Sequence, residues 1–225
     1  MTHPIRTFGR RAIWALPMWA AMLFLSTLTH QPDPQTAFAD FAAYVTTSGF
    51  LVSHLFNSIF GAALGSIGVI GLMLFLQSTK AAGKALTGMA ATVAANTLTA
   101  SIFGVAAFAQ PAMGRAFLAG QENVLDFYNN VYAAPLFITA LVSLLLFIAG
   151  GILTGMAIAA YSRWPRWTGW VYAVATPGFV LSNFLFPVGQ SVTSALLFVA
   201  TVVLAWSAGR ETQELSDRTE VAAAD

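Results

Sequence analysis

Residues 48–77 read SGFLVSHLFNSIFGAALGSIGVIGLMLFLQ and contain no Asp, Glu, Lys or Arg. About 20 apolar residues in a helix are enough to cross the hydrocarbon core of a bilayer, so this stretch predicts a membrane-spanning helix. It also contains His54, the only histidine deep inside an apolar segment, and a dense run of glycines. The stretch therefore predicts both the fold and the place where a functional side chain should be sought.

The whole chain has the composition of a membrane protein. Of its 225 residues, 57% are hydrophobic and 8% are charged, whereas soluble domains carry about 25% charged residues. The ten Lys and Arg are dispersed and the net charge is +1, which argues against nucleic acid as a partner. The chain has no cysteine, which excludes disulfides, thiolate metal sites and cysteine nucleophiles.

Five further apolar stretches complete the predicted fold, an all-α, polytopic six-transmembrane-helix bundle with both termini cytoplasmic. A basic cytoplasmic arm, residues 1–11, precedes the single transmembrane domain 12–208, and a flexible cytoplasmic tail, 209–225, follows it. Two interpretations remain for the connection 110–130, which can be a helix lying on the membrane or a lid. The predicted spans are residues 12–29, 48–77, 85–109, 131–161, 169–186 and 190–208.

The first apolar stretch has a competing interpretation as a signal peptide. It follows a basic arm, and Ala37-Phe38-Ala39 resembles a cleavage site. The stretch is longer than the roughly 7–15 apolar residues of a signal-peptide core, however, and the cleavage-like site lies well beyond its end. We therefore expect an uncleaved helix.

The distribution of basic residues predicts the orientation, because cytoplasmic loops are richer in Lys and Arg than external ones. With the N-terminus inside and six spans, only Arg115 is external. The basic residues on the cytoplasmic side are then Arg6, Arg10, Arg11, Lys80, Lys84, Arg163, Arg166, Arg210 and Arg218.

Polar and small residues within the predicted spans are the candidate site residues. Unpaired polar groups are costly in hydrocarbon, so polar side chains in a span should face the interior of the bundle. The predicted ligand or transport path consists of His54, Asn57, Ser58, Thr92, Asn96, Thr99 and Asn183. Small residues spaced four apart let helices approach closely, and the predicted packing positions are Gly61, Gly65, Gly68, Gly151 and Gly155.

Depth along the helices brings two of these residues to a similar level. At 1.5 Å per residue, His54 and Asn183 both lie in the outer halves of their spans. We therefore expect the two side chains to be able to meet. His54 can act in a proton relay, in ligand contact or in metal ligation, or it can be a neutral histidine bonded to Asn57, Ser58 or a neighbouring helix.

The sequence favours a non-catalytic function and predicts no catalytic residue, metal site or cofactor. No carboxylate lies inside a predicted span, and the H-E-x-x-H, G-x-S-x-G and P-loop patterns are absent. A metal site of His30, Asp33, Asp40, Glu122 and Asp126 is conceivable, since all lie on the outer side, but their spacing matches no ligand pattern.

Two function classes remain. The first is an accessory or structural membrane component in a bacterial inner membrane, with the lipid bilayer and a second copy or another membrane subunit as partners. The second is a small permease or channel for an uncharged or weakly polar solute, with a path near His54, Asn57, Asn96 and Asn183. A haem or metal-binding redox protein using His54 and His30 is a distant third.

Overall fold

The computed structural model describes residues 3–224, with side chains described for residue 5 and for residues 7–186 and 188–211. Every regular element in this part of the chain is helical, and none of it is strand. The helices, in chain order, are α1 His3–Ile13, α2 Ala15–Ser26, α3 Phe38–Val45, α4 Ser48–Val52, a π-helix Ser53–Phe60, α5 Gly61–Leu76, α6 Ala82–Leu118, α7 Val124–Val131, α8 Ala134–Ala160, α9 Arg166–Leu185 and α10 Pro187–Ala224.

Four helices are long and apolar enough to cross a membrane. They are Ser48–Leu76, Ala82–Leu118, Ala134–Ala160 and Val188–Glu211. The first comprises α4, the π-helix and α5 as one continuous rod of 29 residues, close to the predicted 48–77. The chain is thus an all-helical protein with at least this many helices suited to a bilayer, as its composition predicted.

The third predicted helix is longer than expected. We predicted its end at 109, but α6 passes through Pro111 and ends at Leu118. The end is set by Gly120, whose φ of 81° is the left-handed conformation that terminates helices. Its N–H bonds to the carbonyl of Phe117 at 2.9 Å, and Gln121 N–H bonds to that of Ala116 at 3.1 Å. These two bonds form a Schellman motif, which satisfies the last carbonyl groups of α6.

Other predicted boundaries also shift. The connection predicted over 110–130 contains the last turns of α6 and the short helix α7, and a turn at 132–133 separates α7 from α8. The predicted tail 209–225 begins within α10, whose helical backbone extends to Ala224.

Six helices form a closed ring in which sequence neighbours pack together. α2 packs on α5, α5 on α6, α6 on α8, α8 on α9 and α9 on α10, and α10 returns to α2. The core inside the ring is apolar and includes Leu72, Ile158 and Leu204. Trp19 lies against Phe147 and Tyr172, with ring centroids 5.9 and 6.2 Å away.

A second, smaller cluster covers one end of the ring, which we call the capped end. α3, α7 and the last turns of α6 supply Phe41, Met113 and Tyr128, and Phe50 joins them from α4. The rings of Phe41 and Tyr128 meet edge to face at 5.4 Å. This aromatic cluster buries the short helices against the long ones.

The opposite end carries most of the basic residues, and we call it the basic end. Aromatic contacts there hold the end of α5 against the turn between α8 and α9. The ring centroid of Phe75 lies 5.0 Å from that of Trp164 and 6.3 Å from that of Tyr161. The described basic residues at this end are Arg10, Arg11, Lys80, Lys84, Arg163, Arg166 and Arg210.

Candidate functional site

His54 lies within the π-helix, inside the candidate span Ser48–Leu76. Its Nδ1 is 3.1 Å from the carbonyl oxygen of Phe50, and its ring lies 4.0 Å from that of Phe50 and 5.6 Å from that of Phe103. A carbonyl oxygen only accepts, so this bond requires the proton on Nδ1 and leaves Nε2 as an acceptor. No side chain in the described part of the chain bonds to Nε2.

The π-helix changes the geometry that an ordinary helix would give this region. Its i→i+5 bonds span one residue more than those of an α-helix, and this rare form occurs mostly as short stretches within α-helices, frequently at functional sites. Asn57 donates from Nδ2 to Ser53 Oγ at 3.4 Å, within the same helix. His54, Asn57 and Ser58 are all half-buried, so the polar cluster is bonded mainly to its own helix.

Asn183 stands apart from this cluster. It is exposed on α9, and no hydrogen bond in the described part of the chain joins it to His54. The π-helix packs on α2, α5 and α6, whereas α9 packs on α8 and α10. The two residues thus belong to different helix contacts, although the sequence predicted similar depths for them along their helices.

Asn96 lies deep in the ring and connects α6 to α5. It is 3% exposed, and its Nδ2 donates to Ser66 Oγ at 3.1 Å. Ser66 Oγ in turn donates a hydrogen bond to the carbonyl oxygen of Ala62 at 3.0 Å. Beside them, a Cβ added at Gly65 would lie 3.0 Å from both Asn96 Nδ2 and Trp19 Nε1. The amide is therefore enclosed by protein on several sides.

Thr99 makes the equivalent connection from α6 to α8. Its Oγ1 lies 2.8 Å from Ser143 Oγ, and Ser143 donates to the carbonyl of Ala95 at 2.9 Å. A serine hydroxyl has one proton, so Thr99 must be the donor to Ser143. The three groups form a short chain that ends on a backbone carbonyl.

Thr92 and Thr154 occupy a reciprocal contact between α6 and α8. A Cβ added at Gly88 would lie 2.6 Å from Thr154 Oγ1, and one added at Gly150 would meet Thr92. Each threonine thus fills the space above a glycine of the facing helix. Both Oγ1 atoms are buried without a hydrogen-bond partner, so the contact combines close packing with two unsatisfied hydroxyl groups.

The glycines of α5 pack against α1 and α2 in an antiparallel arrangement. This contact contains Gly61, Gly65 and Gly68, which the sequence singled out, and extends to Gly71. The facing pairs are Gly61 with Met22, Gly65 with Trp19, Gly68 with Leu16, and Gly71 with Ala12. Without a side chain on α5, the facing helix approaches closely enough to gain dispersion contacts along its length.

The glycines of α8 serve the contact with α9. A Cβ added at Gly151 would lie 2.5 Å from Thr176 Cγ2, and one added at Gly155 would overlap the backbone of Gly169 and Ala173. Gly169 reciprocates against Ala159 and Gly155. The α8–α9 pair is therefore packed backbone to backbone.

The capped end contains a polar group that sequence reasoning missed. Gln110, 4% exposed near the end of α6, donates to Tyr132 Oη at 2.7 Å and accepts from Gln31 Nε2 at 3.3 Å. The rings of Tyr132 and Tyr128 stack at 4.4 Å. Burial raises the pKa of Tyr132 to about 12. The buried glutamine gave no signal because it stands in what was predicted to be a connection.

The basic end contains a second missed group, Glu211. Its carboxylate is 7% exposed, accepts from Tyr161 Oη at 2.6 Å and pairs with Arg163 Nη1 at 3.0 Å. Its Oε2 is buried without a hydrogen-bond partner. Glu211 falls in the predicted tail, whose mixed charges are typical of a solvated segment, so the sequence did not single it out.

The outer acidic residues and histidines do not converge on a metal site. Within the residues that the structure describes, no group of three or more His, Asp or Glu side chains could hold an ion. His30 is exposed beyond α2, and His54 is enclosed by Phe50 and Phe103.

Together these features define a helical protein suited to a membrane, with polar groups placed in its helix contacts. No protein-family model, curated protein or solved structure matches the chain.

Proposed function

We propose that the protein is a non-catalytic, multi-pass integral membrane protein that serves as an accessory or structural component of a membrane assembly. The observation that carries this proposal is the use of its deep polar groups. Asn96, Thr99 and Ser143 bond between helices, and Thr92 and Thr154 pack against facing glycines. A solute path would need these groups to face water instead.

Six spans are supported by the closed ring of helices. α9 has 20 residues, about 30 Å at 1.5 Å per residue, which matches a hydrocarbon core. α2 is shorter, but it continues from α1 with a break only at Trp14 and packs along the glycines of α5. Both helices lie alongside the four longer ones, so they share the same depth of membrane.

Cytoplasmic termini are supported by the two ends of the ring. Seven described basic residues lie at the basic end and Arg115 lies at the capped end. Positive residues are retained on the cytoplasmic side. This orientation fits the inner membrane of a bacterium.

The absence of cysteine allows the orientation to be tested directly. Lys80→Cys and Glu122→Cys introduce single thiols at exposed turns of opposite ends. A membrane-impermeant maleimide should label Lys80→Cys only from the cytoplasmic side and Glu122→Cys only from the outside. Labelling of both from one side would contradict the orientation and the span count.

The same cysteine-free protein allows a test of whether water enters the ring interior. Thr92→Cys places a thiol of similar size at a fully buried position. A small water-soluble thiol reagent should leave it unmodified while Glu122→Cys reacts completely. Rapid modification of Thr92→Cys would show a hydrated path and overturn the proposal.

An exposed face of α6 is suited to a partner helix. Small side chains recur there at spacings of four and three residues, the pattern of a helix–helix seam. The face consists of the exposed Ala90, Ala94, Thr97 and Ser101 and the half-buried Gly104, where an added Cβ would meet nothing within 4 Å. Thr97 and Ser101 bond to carbonyls of their own helix, so the face needs no water.

Cross-linking of Ala94→Cys in native membranes tests this face. A disulfide between two copies would assign a homo-oligomer, and a cross-link to a different membrane subunit would assign an accessory role. Leu141→Cys, on the exposed surface of α8, is the matched control and should form neither. Recovery of both variants only as monomers without any cross-link would contradict the proposal.

The permease remains a second candidate function because of the π-helix. It holds His54 with Nε2 unbonded by the described side chains and places Asn57 and Ser58 at half-buried positions. If this cluster begins a path, Ser58→Cys will react with small water-soluble reagents and His54→Leu will abolish transport while the protein still folds. Protection of Ser58→Cys would remove this alternative.

A further inference from the structure

The basic end carries an open cavity between α1 and α10. It is separate from the ring interior and from the exposed face of α6. Its volume is about 330 Å³, and its lining includes Arg10, Arg11, Trp14, Trp206 and Arg210. Three arginines from two helices that are far apart in sequence therefore line one cavity. No ion pair among the described side chains involves any of the three arginines, so these side chains leave their charges available to a ligand.

The geometry of the cavity fits a phosphate group. Guanidinium groups bind phosphate oxygens with two parallel N–H donors, and several can share one phosphate. Arg210 is held in place by its own helix, since its Cζ lies 5.0 Å over the ring of Trp206. This cation–π contact holds the guanidinium over the ring and uses none of its N–H donors.

The surroundings of the cavity indicate that the phosphate belongs to a lipid. Trp14 and Trp206 are 46% and 57% exposed, and exposed tryptophans at a helix end mark the level of the headgroups. Met18 is exposed one turn after Trp14 on the same face, and Val199 is exposed two turns before Trp206 on α10. The apolar surface thus continues from the arginines toward the middle of the bundle.

α2 and α10 lie side by side over this whole distance. They pack on each other, and at their far ends Thr27 Oγ1 is 2.8 Å from Ser191 Oγ. A molecule with an anionic head at the arginines and chains along these helices would match both the charge and the apolar surface. Free phosphate would use only the first.

We propose that Arg10, Arg11 and Arg210 bind the phosphate of an anionic glycerophospholipid, with its acyl chains along the exposed faces of α2 and α10. Basic pockets between helices at the cytoplasmic surface bind such headgroups. The site rests on the helices crossing a membrane, and it is independent of any partner on the α6 face.

Native mass spectrometry of the full-length protein tests this proposal. The protein in detergent is titrated with phosphatidylglycerol, with phosphatidylcholine as the zwitterionic control, and the bound fraction gives an apparent Kd. Phosphatidylglycerol should bind more tightly than phosphatidylcholine, and an excess of inorganic phosphate should not displace it. Equal binding of phosphatidylcholine, or full displacement by inorganic phosphate, would overturn the lipid assignment.

A charge-matched pair of variants separates this site from general attraction. R10Q/R11Q/R210Q removes three charges from the cavity, and K80Q/K84Q/R166Q removes three exposed charges from the same end outside it. Each surface arginine contributes about fivefold to binding an anionic lipid, so the cavity variant should bind on the order of a hundredfold more weakly. The control should retain most of its affinity.

Equal losses in the two variants would overturn the proposal. If the triple variant does not fold, R210Q alone decides, because Arg210 is exposed and its replacement removes no core contact. A loss of about fivefold supports the site, and unchanged binding of phosphatidylglycerol contradicts it.

Discussion

Arg163 and Glu211 form an ion pair of 3.0 Å that joins the α8–α9 turn to α10 at the basic end of the ring. The two partners differ in environment, because the Arg163 side chain is 60% exposed and that of Glu211 is 7% exposed. Tyr161 adds a third group by donating to the same carboxylate oxygen. The carboxylate is therefore stabilised by neighbours rather than by water.

This asymmetry predicts unequal effects of removing the two charges. Arg163→Gln leaves a buried carboxylate with less compensation and should destabilise the protein by about 1–3 kcal/mol. Glu211→Gln removes the buried charge and keeps an acceptor for Tyr161, so it should cost less. Thermal unfolding in detergent measures both. The double variant should be more stable than Arg163→Gln alone, and strict additivity would argue against the pair.

Glycine substitutions along α6 should have opposite effects at two positions. Gly88→Ala places a Cβ 2.6 Å from Thr154 Oγ1 and 2.8 Å from its backbone N, so overpacking should cost about 1–3 kcal/mol. Gly104→Ala meets nothing within 4 Å and should be neutral or stabilise by up to about 1 kcal/mol through helix propensity. Chemical unfolding in mixed micelles compares them. Equal destabilisation would contradict the α6–α8 contact.

The two unsatisfied hydroxyl groups predict a stabilising substitution. Thr92→Val removes a buried Oγ1 that has no partner and keeps a similar shape, so the protein should be unchanged or more stable by about 1 kcal/mol. Thr99→Val, the matched control, breaks the bond to Ser143 and should cost about 1 kcal/mol. The difference in midpoint of thermal unfolding checks the prediction. A larger loss in Thr92→Val would show that its hydroxyl is used.

Tyr132 predicts a loss of stability at alkaline pH. Burial raises its pKa to about 12 from the ordinary 10, so the unfolded chain releases this proton first as the pH rises. The contribution is fully present below pH 10 and is lost progressively as the pH rises toward about 12. Tyr132→Phe should flatten that part of the stability curve, and the tyrosinate absorbance should lose one transition at about pH 12. An unchanged curve would contradict the burial of this phenol.

The apolar stretches alone predicted helices suited to a membrane, because helix length and composition are local properties. The position of Ser48–Leu76 followed directly from its uninterrupted apolar residues. The glycine spacing at Gly61, Gly65 and Gly68 likewise indicated a close contact. What the spacing left open was the facing helix, which the structure identifies as α2.

Tertiary structure decided how the polar groups are used. A polar side chain in a span can bond to its own helix, as His54 does with Phe50, or to another, as Asn96 does with Ser66. Both uses follow the same rule that buried polar groups need partners, so the sequence cannot distinguish them. The burial of Glu211 against Arg163 depends on a contact between residues far apart in the chain. The sequence by itself determined that the chain forms apolar helices with basic residues grouped between them, and only the packing of those helices determined which polar groups are enclosed.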